Sequence, residues 1–352
     1  MNIVICCDGT GNEFGVHNSN VLKLYSILEK SQDKQITFYH PGIGTTGLTD
    51  FFDRFKARLI RVLGAAIGYG IRKDVADCYK FLMDKYTGPD DKIFIFGFSR
   101  GAYTARILCG MLHEFGLITK GNDNLINYAY KLFNQPQKKE SIQEKFKQSF
   151  SRECKPYFVG LWDTVSSVGW IYDPTHFPFT YRDPNIKIGR HAISIDERRC
   201  FFRQNLWAAQ AEGQSIVQVW FPGVHSDIGG GYEYPECGLS QGALKWMVGE
   251  AIPAGLAVDT TKEAALYQPP NVAPDSTALL HTSLKGFWWI LEYIPKRYFD
   301  FKIKEMRIKW WHPSEPRFIP EDSLIHCSVV ERMEKMPEYK PNNLPQKFTK
   351  VG

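Results

Sequence analysis

Two hydrophobic periods alternate along this chain. Short β-forming runs occur at 2–7 (NIVICC), 35–40 (QITFYH) and 92–98 (KIFIFGF). A fourth, in PYFVGLWDTVSS (156–167), ends at Asp163, and a fifth opens SIVQVWFPGVHSDIGGGY (215–232). Their near-continuous apolarity is that of strands buried on both faces. Between them the spacing turns helical. Residues 18–31 carry apolar side chains at 21, 22, 24, 25, 27 and 28 behind an Asn or Ser cap. Residues 71–86 line up Ile71, Val75, Cys78, Tyr79, Leu82 and Tyr86, and RGAYTARILCGMLHEFGL (100–117) is a third helix with small residues at its start. Strand and helix in alternation predict βαβ crossovers and a mostly parallel central sheet with helices on both faces. Residues 168–190, rich in Pro, Asp and aromatics, show no period and read as a lid-like insertion. Beyond 250 the pattern weakens. Residues 284–311 join a helical half to strand-like alternation, 251–346 read as an extension packed on a single domain spanning 1–346, and 347–352 read as a tail.

Composition narrows the function classes. A chain of 352 residues with 43% hydrophobic and 23% charged residues buries a sizeable core. A net charge of +5 is too weak to argue for nucleic acid and suits an anionic lipid surface. None of the eight cysteines forms a Cys-x-x-Cys pair, which argues against a zinc or redox motif and for free thiols in a reducing compartment. The apolar start is too short for a signal peptide and no stretch is long enough to span a bilayer, so the expected location is cytoplasmic as synthesised.

The chemistry concentrates in FIFGFSRGAYTAR (94–106), where Gly97-Phe98-Ser99-Arg100-Gly101 fits Gly-x-Ser-x-Gly between a strand and a helix. A sharp strand-to-helix turn exposes the serine, and glycines at 97 and 101 leave it room. A serine hydroxyl is a weak nucleophile until a histidine takes its proton and an acid fixes the tautomer of that histidine. Asp163 and His225 each follow a later strand in the required order. Asp196, in SIDERR, is the rival acid, expected instead to pair with Arg198 or Arg199 on a helix. The Arg100 N–H at the helix start, with the backbone of Gly9 or Thr10 after the first strand, are the expected oxyanion donors. Asp8 is expected to brace its loop and Asp227 to orient the loop of His225. Such a centre needs no cofactor. The competing chemistry is a metal-dependent phosphoesterase in which Asp8, Asp163, His225 and Asp227 hold a divalent ion.

CCDGTGN, GFSRGAYTAR, GLWDTVSSVG, HAISIDERRCFF, FPGVHSDIGGGY and the late SLIHCSVVERM with YKPNNLP stand in an order that resembles the type VI secretion lipase effectors of the first Tle family. The resemblance runs from residue 1 to about 346. It implies an α/β hydrolase of phospholipase A type, with a triad at Ser99, Asp163 and His225. It also implies a phospholipid substrate, peripheral contact with a membrane surface, and secretion-apparatus and immunity-protein partners after export to a target periplasm. A soluble esterase for small esters is the alternative. Aromatic and basic residues interleave through 284–311, including Trp288, Trp289, Tyr293, Lys296, Arg297 and Arg307. That composition predicts either core packing or a face that settles among lipid headgroups.

Overall fold

The computed structural model describes residues 1–9, 18–42, 69–135, 140–165, 169–170, 173–174, 179–269, 271–286, 288–293, 295–300, 305–309 and 313–352. Its centre is an eight-stranded sheet in which every pairing is parallel. The strands are β1 (Asn2–Cys7), β2 (Gln35–His40), β3 (Lys92–Phe98), β4 (Pro156–Trp162), β5 (Ile188–Ser194), β6 (Ser215–Phe221), β7 (Ser323–His326) and β8 (Phe348–Val351). Their spatial order is β8-β7-β6-β5-β4-β3-β1-β2.

Alternation along the strands explains the two cores. Ile3, Ile5, Ile93 and Ile95 point to one face, under helices α2 (Tyr69–Lys85) and α3 (Arg100–Phe115). Val4, Cys6, Phe94, Phe96 and Phe98 point to the other, under α1 (Asn20–Ile27). Both faces are dry, so the strands read as unbroken apolar runs. Ser19 caps α1, its hydroxyl accepting from the Leu22 N–H at 3.1 Å. Cys6, Cys7, Cys78 and Cys109 are buried free thiols, as expected.

The sheet is larger than the sequence reading allowed. Strand β5 begins inside the segment read as a lid. Of the neighbouring residues, Thr180, Asp183 and Ile186 are buried, and the Thr180 carbonyl accepts from Arg106 at 2.6 Å. Residues 166–168, 171–172 and 175–178 of that segment lie outside the described residues. Strands β7 and β8 come from the segments read as extension and tail. Residues 347–352 therefore supply the edge of the sheet.

Chain order reverses between β1 and β3, and the crevice beyond the carboxyl ends of parallel strands at such a point is where ligands bind. The register brings those ends level. Cys7 lies opposite Gly97, Phe98 opposite Trp162, and Ser194 opposite Phe221. The loops that follow β1, β3, β4 and β6 thus leave one edge of the sheet together.

Candidate active site

Ser99 is the first residue past β3. Its N–H donates to the Trp162 carbonyl at 3.1 Å, and α3 begins at the next residue. The turn between is tight enough to force a φ of 58° and ψ of −118° on a serine, a strained conformation of the kind kept at functional sites. The flanking glycines are there for space. A Cβ on Gly97 would sit 2.6 Å from the Gly101 carbonyl oxygen, and one on Gly101 only 2.1 Å from that of Cys7.

Asp163 is the first residue past β4, fully buried, with φ 40° and its N–H on the Ala192 carbonyl at 2.8 Å. His225 follows β6 through Gly223, whose φ of 115° suits only glycine. The histidine opens the one-turn helix α4 (His225–Gly229) rather than lying in an irregular glycine loop. The Asp227 carboxylate accepts the Val224 N–H at 2.9 Å at the start of that helix and is itself held by His281 at 2.7 Å.

The three side chains converge. His225 Nε2 lies 2.8 Å from Ser99 Oγ, and His225 Nδ1 lies 2.5 Å from Asp163 Oδ2. The rings of Phe98 and Phe202 flank the imidazole with centroids 4.7 and 4.8 Å away. Burial presses the His225 pKa below the ordinary histidine value although Asp163 pulls the other way. A neutral ring beside an ionised carboxylate carries its proton on Nδ1, which leaves the Nε2 lone pair facing the serine hydroxyl.

Burial alone would raise the Asp163 carboxyl, but the Arg317 guanidinium and the His225 hydrogen bond override it and hold it well below the aspartate range. Arg317 grips both oxygens, Nη1 on Oδ1 at 2.5 Å and Nη2 on Oδ2 at 2.9 Å, while the Ser194 N–H adds a third bond to Oδ1 at 3.0 Å. Glu197 is equally buried, and its Oε2 accepts the His225 N–H at 3.1 Å. Arg199 forks onto Glu197 with two bonds of 2.9 Å. Burial opposes ionisation of Glu197, and Arg199 leads the groups that lower it to about 2.

Neither Arg317 nor Glu197 was legible. Arg317 stands in PSEPRFIP, which has no period to place it. The charge cluster SIDERR was visible, but its pairing was misassigned. Arg199 binds Glu197, and Asp196 instead accepts the Gly223 N–H at 2.7 Å and the Tyr339 hydroxyl at 2.8 Å, in a turn rather than a helix. Asp196 does not reach His225.

After β1, the Asp8 carboxylate accepts from the Gly9 N–H at 2.6 Å, from the Tyr39 hydroxyl at 2.8 Å and from the Ser19 hydroxyl. That bond turns the Gly9 N–H to Asp8 and away from an oxyanion. Thr10 lies outside the described residues. The Arg100 N–H, in the first turn of α3, has no carbonyl one turn earlier to accept it. Among the described residues no group of three or more His, Cys, Asp and Glu is placed to hold a metal ion, so Asp8, Asp163, His225 and Asp227 are not gathered for that purpose.

A parallel sheet with helices on both faces, and a serine at a strand-to-helix elbow where the strand order reverses, define an α/β-hydrolase-like protein. Residues 1–250 match the model of the family described as T6SS, Phospholipase effector Tle1-like, catalytic domain, and the chain belongs to that family. It is 38% identical over 220 residues to the uncharacterized protein YEL023C of Saccharomyces cerevisiae, an alignment covering 58% of this chain and 32% of that protein. The chain thus spans about a third of the length of this curated relative. Two solved structures are similar at lower identity. One, an uncharacterized protein from Pseudomonas aeruginosa, shares 20% identity over 73% of this chain and 46% of its own, with a TM-score of 0.44. The other, the Tle1 effector bound to the VgrG spike, shares 22% identity over 66% and 51%, with a TM-score of 0.40. The family is one of lipid hydrolases. Among the described residues no helix is long and apolar enough to cross a membrane.

Proposed function

We propose that this protein is a serine carboxylester hydrolase of phospholipase A type, with Ser99 as nucleophile, His225 as base and Asp163 as the acid that orients it. The observation that carries the reading is the unbroken hydrogen-bond line from Ser99 Oγ through both nitrogens of His225 to Asp163. Ser99 Oγ attacks the acyl carbonyl carbon as its proton passes to His225 Nε2. The carbonyl oxygen becomes an oxyanion, and the Arg100 N–H at the start of α3 stabilises it. The tetrahedral centre collapses, the ester C–O bond breaks, and His225 delivers the proton to the departing lysolipid oxygen. Water then gives a proton to His225 as its oxygen attacks the acyl carbon. The bond from that carbon to Ser99 Oγ breaks to release the fatty acid, and His225 returns the proton to Oγ.

A lipid rather than a small ester is favoured by the surface beside His225. Trp288, at the start of helix α5 (Trp288–Glu292), packs edge-on against Phe202 at 5.2 Å, and Phe202 touches the imidazole. The next residues, Trp289, Ile290 and Tyr293, are exposed, as is Ile308 in the hairpin formed by Lys296–Asp300 and Glu305–Lys309. Trp288 packs inward against Phe202 and Trp289 faces outward, so the stretch divides between core and surface. Phe287, Lys302, Lys304, Trp310 and Trp311, which belong to the same stretch, lie outside the described residues. We propose that these exposed apolar residues, together with exposed basic residues such as Arg307, seat the enzyme on an anionic bilayer. Family membership supports delivery as a type VI effector, with an apparatus protein to carry it and an immunity protein to restrain it. The test is mass spectrometry of phosphatidylglycerol and phosphatidylethanolamine vesicles incubated with the enzyme and with Ser99→Ala. Lysophospholipid and free fatty acid in equal amounts, absent with the variant, are expected. Release of phosphorylated headgroup or diacylglycerol instead would overturn the reading.

A further inference from the structure

The inference rests on the triad reading above. The family match ends at residue 250, yet the carboxylate that orients His225 is gripped from beyond it. Arg317 is fully buried, and its contacts leave it no freedom. Besides the fork on Asp163, its Nη1 donates to the Ser194 carbonyl at 3.1 Å, and Nε and Nη2 donate to that of Phe202. Other bonds from the same region reach the residues around His225. Ser283 donates to Glu197 at 2.8 Å, and His281 holds Asp227. We propose that Arg317 is a positioning residue of the hydrolase, fixing Asp163 ionised and in the plane of His225 Nδ1 and thereby setting the lower pH limit of activity.

Arg317 acts through geometry and charge together. A planar guanidinium meeting both carboxylate oxygens fixes the rotation of the carboxylate as well as its place, which the point charge of a lysine cannot do. Its positive charge also keeps protons off both partners. Without it, the buried Asp163 takes a proton more readily. If Asp163 stays ionised, its undivided charge instead stabilises the His225 imidazolium. A protonated Asp163 donates to Nδ1 and forces the ring proton onto Nε2, and an imidazolium has no lone pair. Either event therefore removes the base and moves the acid limb of the rate profile to higher pH. The other charged groups around the pair stay in place. They are Glu197, Arg199 and Arg203 after β5, Asp227 on α4 with His281, and His191 on β5, whose Nε2 accepts the Thr164 N–H and is therefore unprotonated.

The experiment compares wild type, Arg317→Gln and Arg317→Lys on a chromogenic acyl ester from acid to alkaline pH. Rates are counted per site that reacts with a fluorophosphonate, and Ser99→Ala is the blank. For Arg317→Gln the acid midpoint of kcat/KM should rise by about one pH unit or more, with a lower kcat on the plateau. Arg317→Lys should keep the midpoint near wild type and lose on the order of tenfold in plateau kcat, because charge survives and the fork does not. An unshifted midpoint in Arg317→Gln would show a merely structural arginine. If that variant does not fold, a wild-type plateau kcat in Arg317→Lys overturns the proposal instead. Failure of wild type to label, or labelling of Ser99→Ala, strikes at the triad reading and not at Arg317.

Discussion

Replacing Asp163 by Asn changes one oxygen to an amide nitrogen and separates function from folding. The amide cannot carry the negative charge that holds the proton on His225 Nδ1. Turned one way it accepts from Nδ1–H weakly, and turned the other its NH2 faces that hydrogen and enforces the wrong tautomer. Loss of the correct tautomer in a triad costs roughly 10⁴-fold in kcat. The substitution also strips Arg317 of its fork on Asp163, leaving the buried guanidinium with neutral acceptors such as the carbonyls of Phe202 and Ser194. Breaking a buried pair from one side costs about 3–5 kcal/mol, which for 352 residues is on the order of 5 °C in Tm. The sign with pH follows from a folded-state pKa held below the ordinary aspartate value. The stabilisation is fully present above that value and is lost as pH falls below it, so the gap between wild type and variant is constant near neutrality and closes in acid. Ester turnover and thermal unfolding at pH 7.5 measure the two effects. Asp196→Asn, which keeps an acceptor for Gly223 and Tyr339, should fall less than about tenfold in kcat, within what a peripheral hydrogen bond can cost. Near-normal kcat in Asp163→Asn, or inactivation by Asp196→Asn alone, would refute the assignment.

Burial raises the Asp183 carboxyl to about 7, so the folded state holds a proton that the unfolded chain releases near pH 4, and stability falls as pH climbs between the two. Asp183→Asn should therefore match wild type in urea unfolding at pH 4 and exceed it at pH 8; a constant difference would refute the shift. Trp289→Ala with Ile290→Ser should weaken sedimentation with phosphatidylglycerol vesicles by at least about tenfold, at roughly 1.5–3 kcal/mol per apolar side chain removed from water. Binding should also weaken with salt and with neutral replacements of Lys296 and Arg297, and indifference to all of these would reduce the face to ordinary surface. Gly101→Ala places a methyl 2.1 Å from the Cys7 carbonyl oxygen and 2.7 Å from that of Asp8, both backbone atoms, and should cost about 3 kcal/mol or more in chemical denaturation; an unchanged midpoint would mean that the elbow is looser than described.

What the sequence disclosed depended on whether a residue's role is local. Ser99, Asp163 and His225 each follow a strand whose apolar run is unmistakable, and parallel register carries the ends of those strands to one edge. The five strands read from hydrophobicity are all present. Strand β5 was hidden because Arg190 and His191 interrupt its run, and Arg190 is accommodated by a bond to Glu250 at 2.5 Å. Strands β7 and β8, four residues each, are too short to show a period. Arg317 and Glu197 act through contacts with residues far from them in the chain or through a pairing two residues away, and no local spacing encodes either. The Gly9 reading failed for a related reason, since the Tyr39 and Ser19 hydroxyls that fix the Asp8 carboxylate come from other elements.

The central claim is that Ser99 is the nucleophile, activated by His225. Reaction with a long-chain fluorophosphonate followed by peptide mass spectrometry tests it most directly, because the reagent bonds only to a serine whose hydroxyl proton is being taken. The account predicts one adduct per chain, on the peptide containing Ser99, with loss of ester hydrolysis in step with labelling. It also predicts that the adduct disappears in His225→Ala. An adduct on another residue, or full hydrolysis of phospholipid by a protein that never labels, would contradict it.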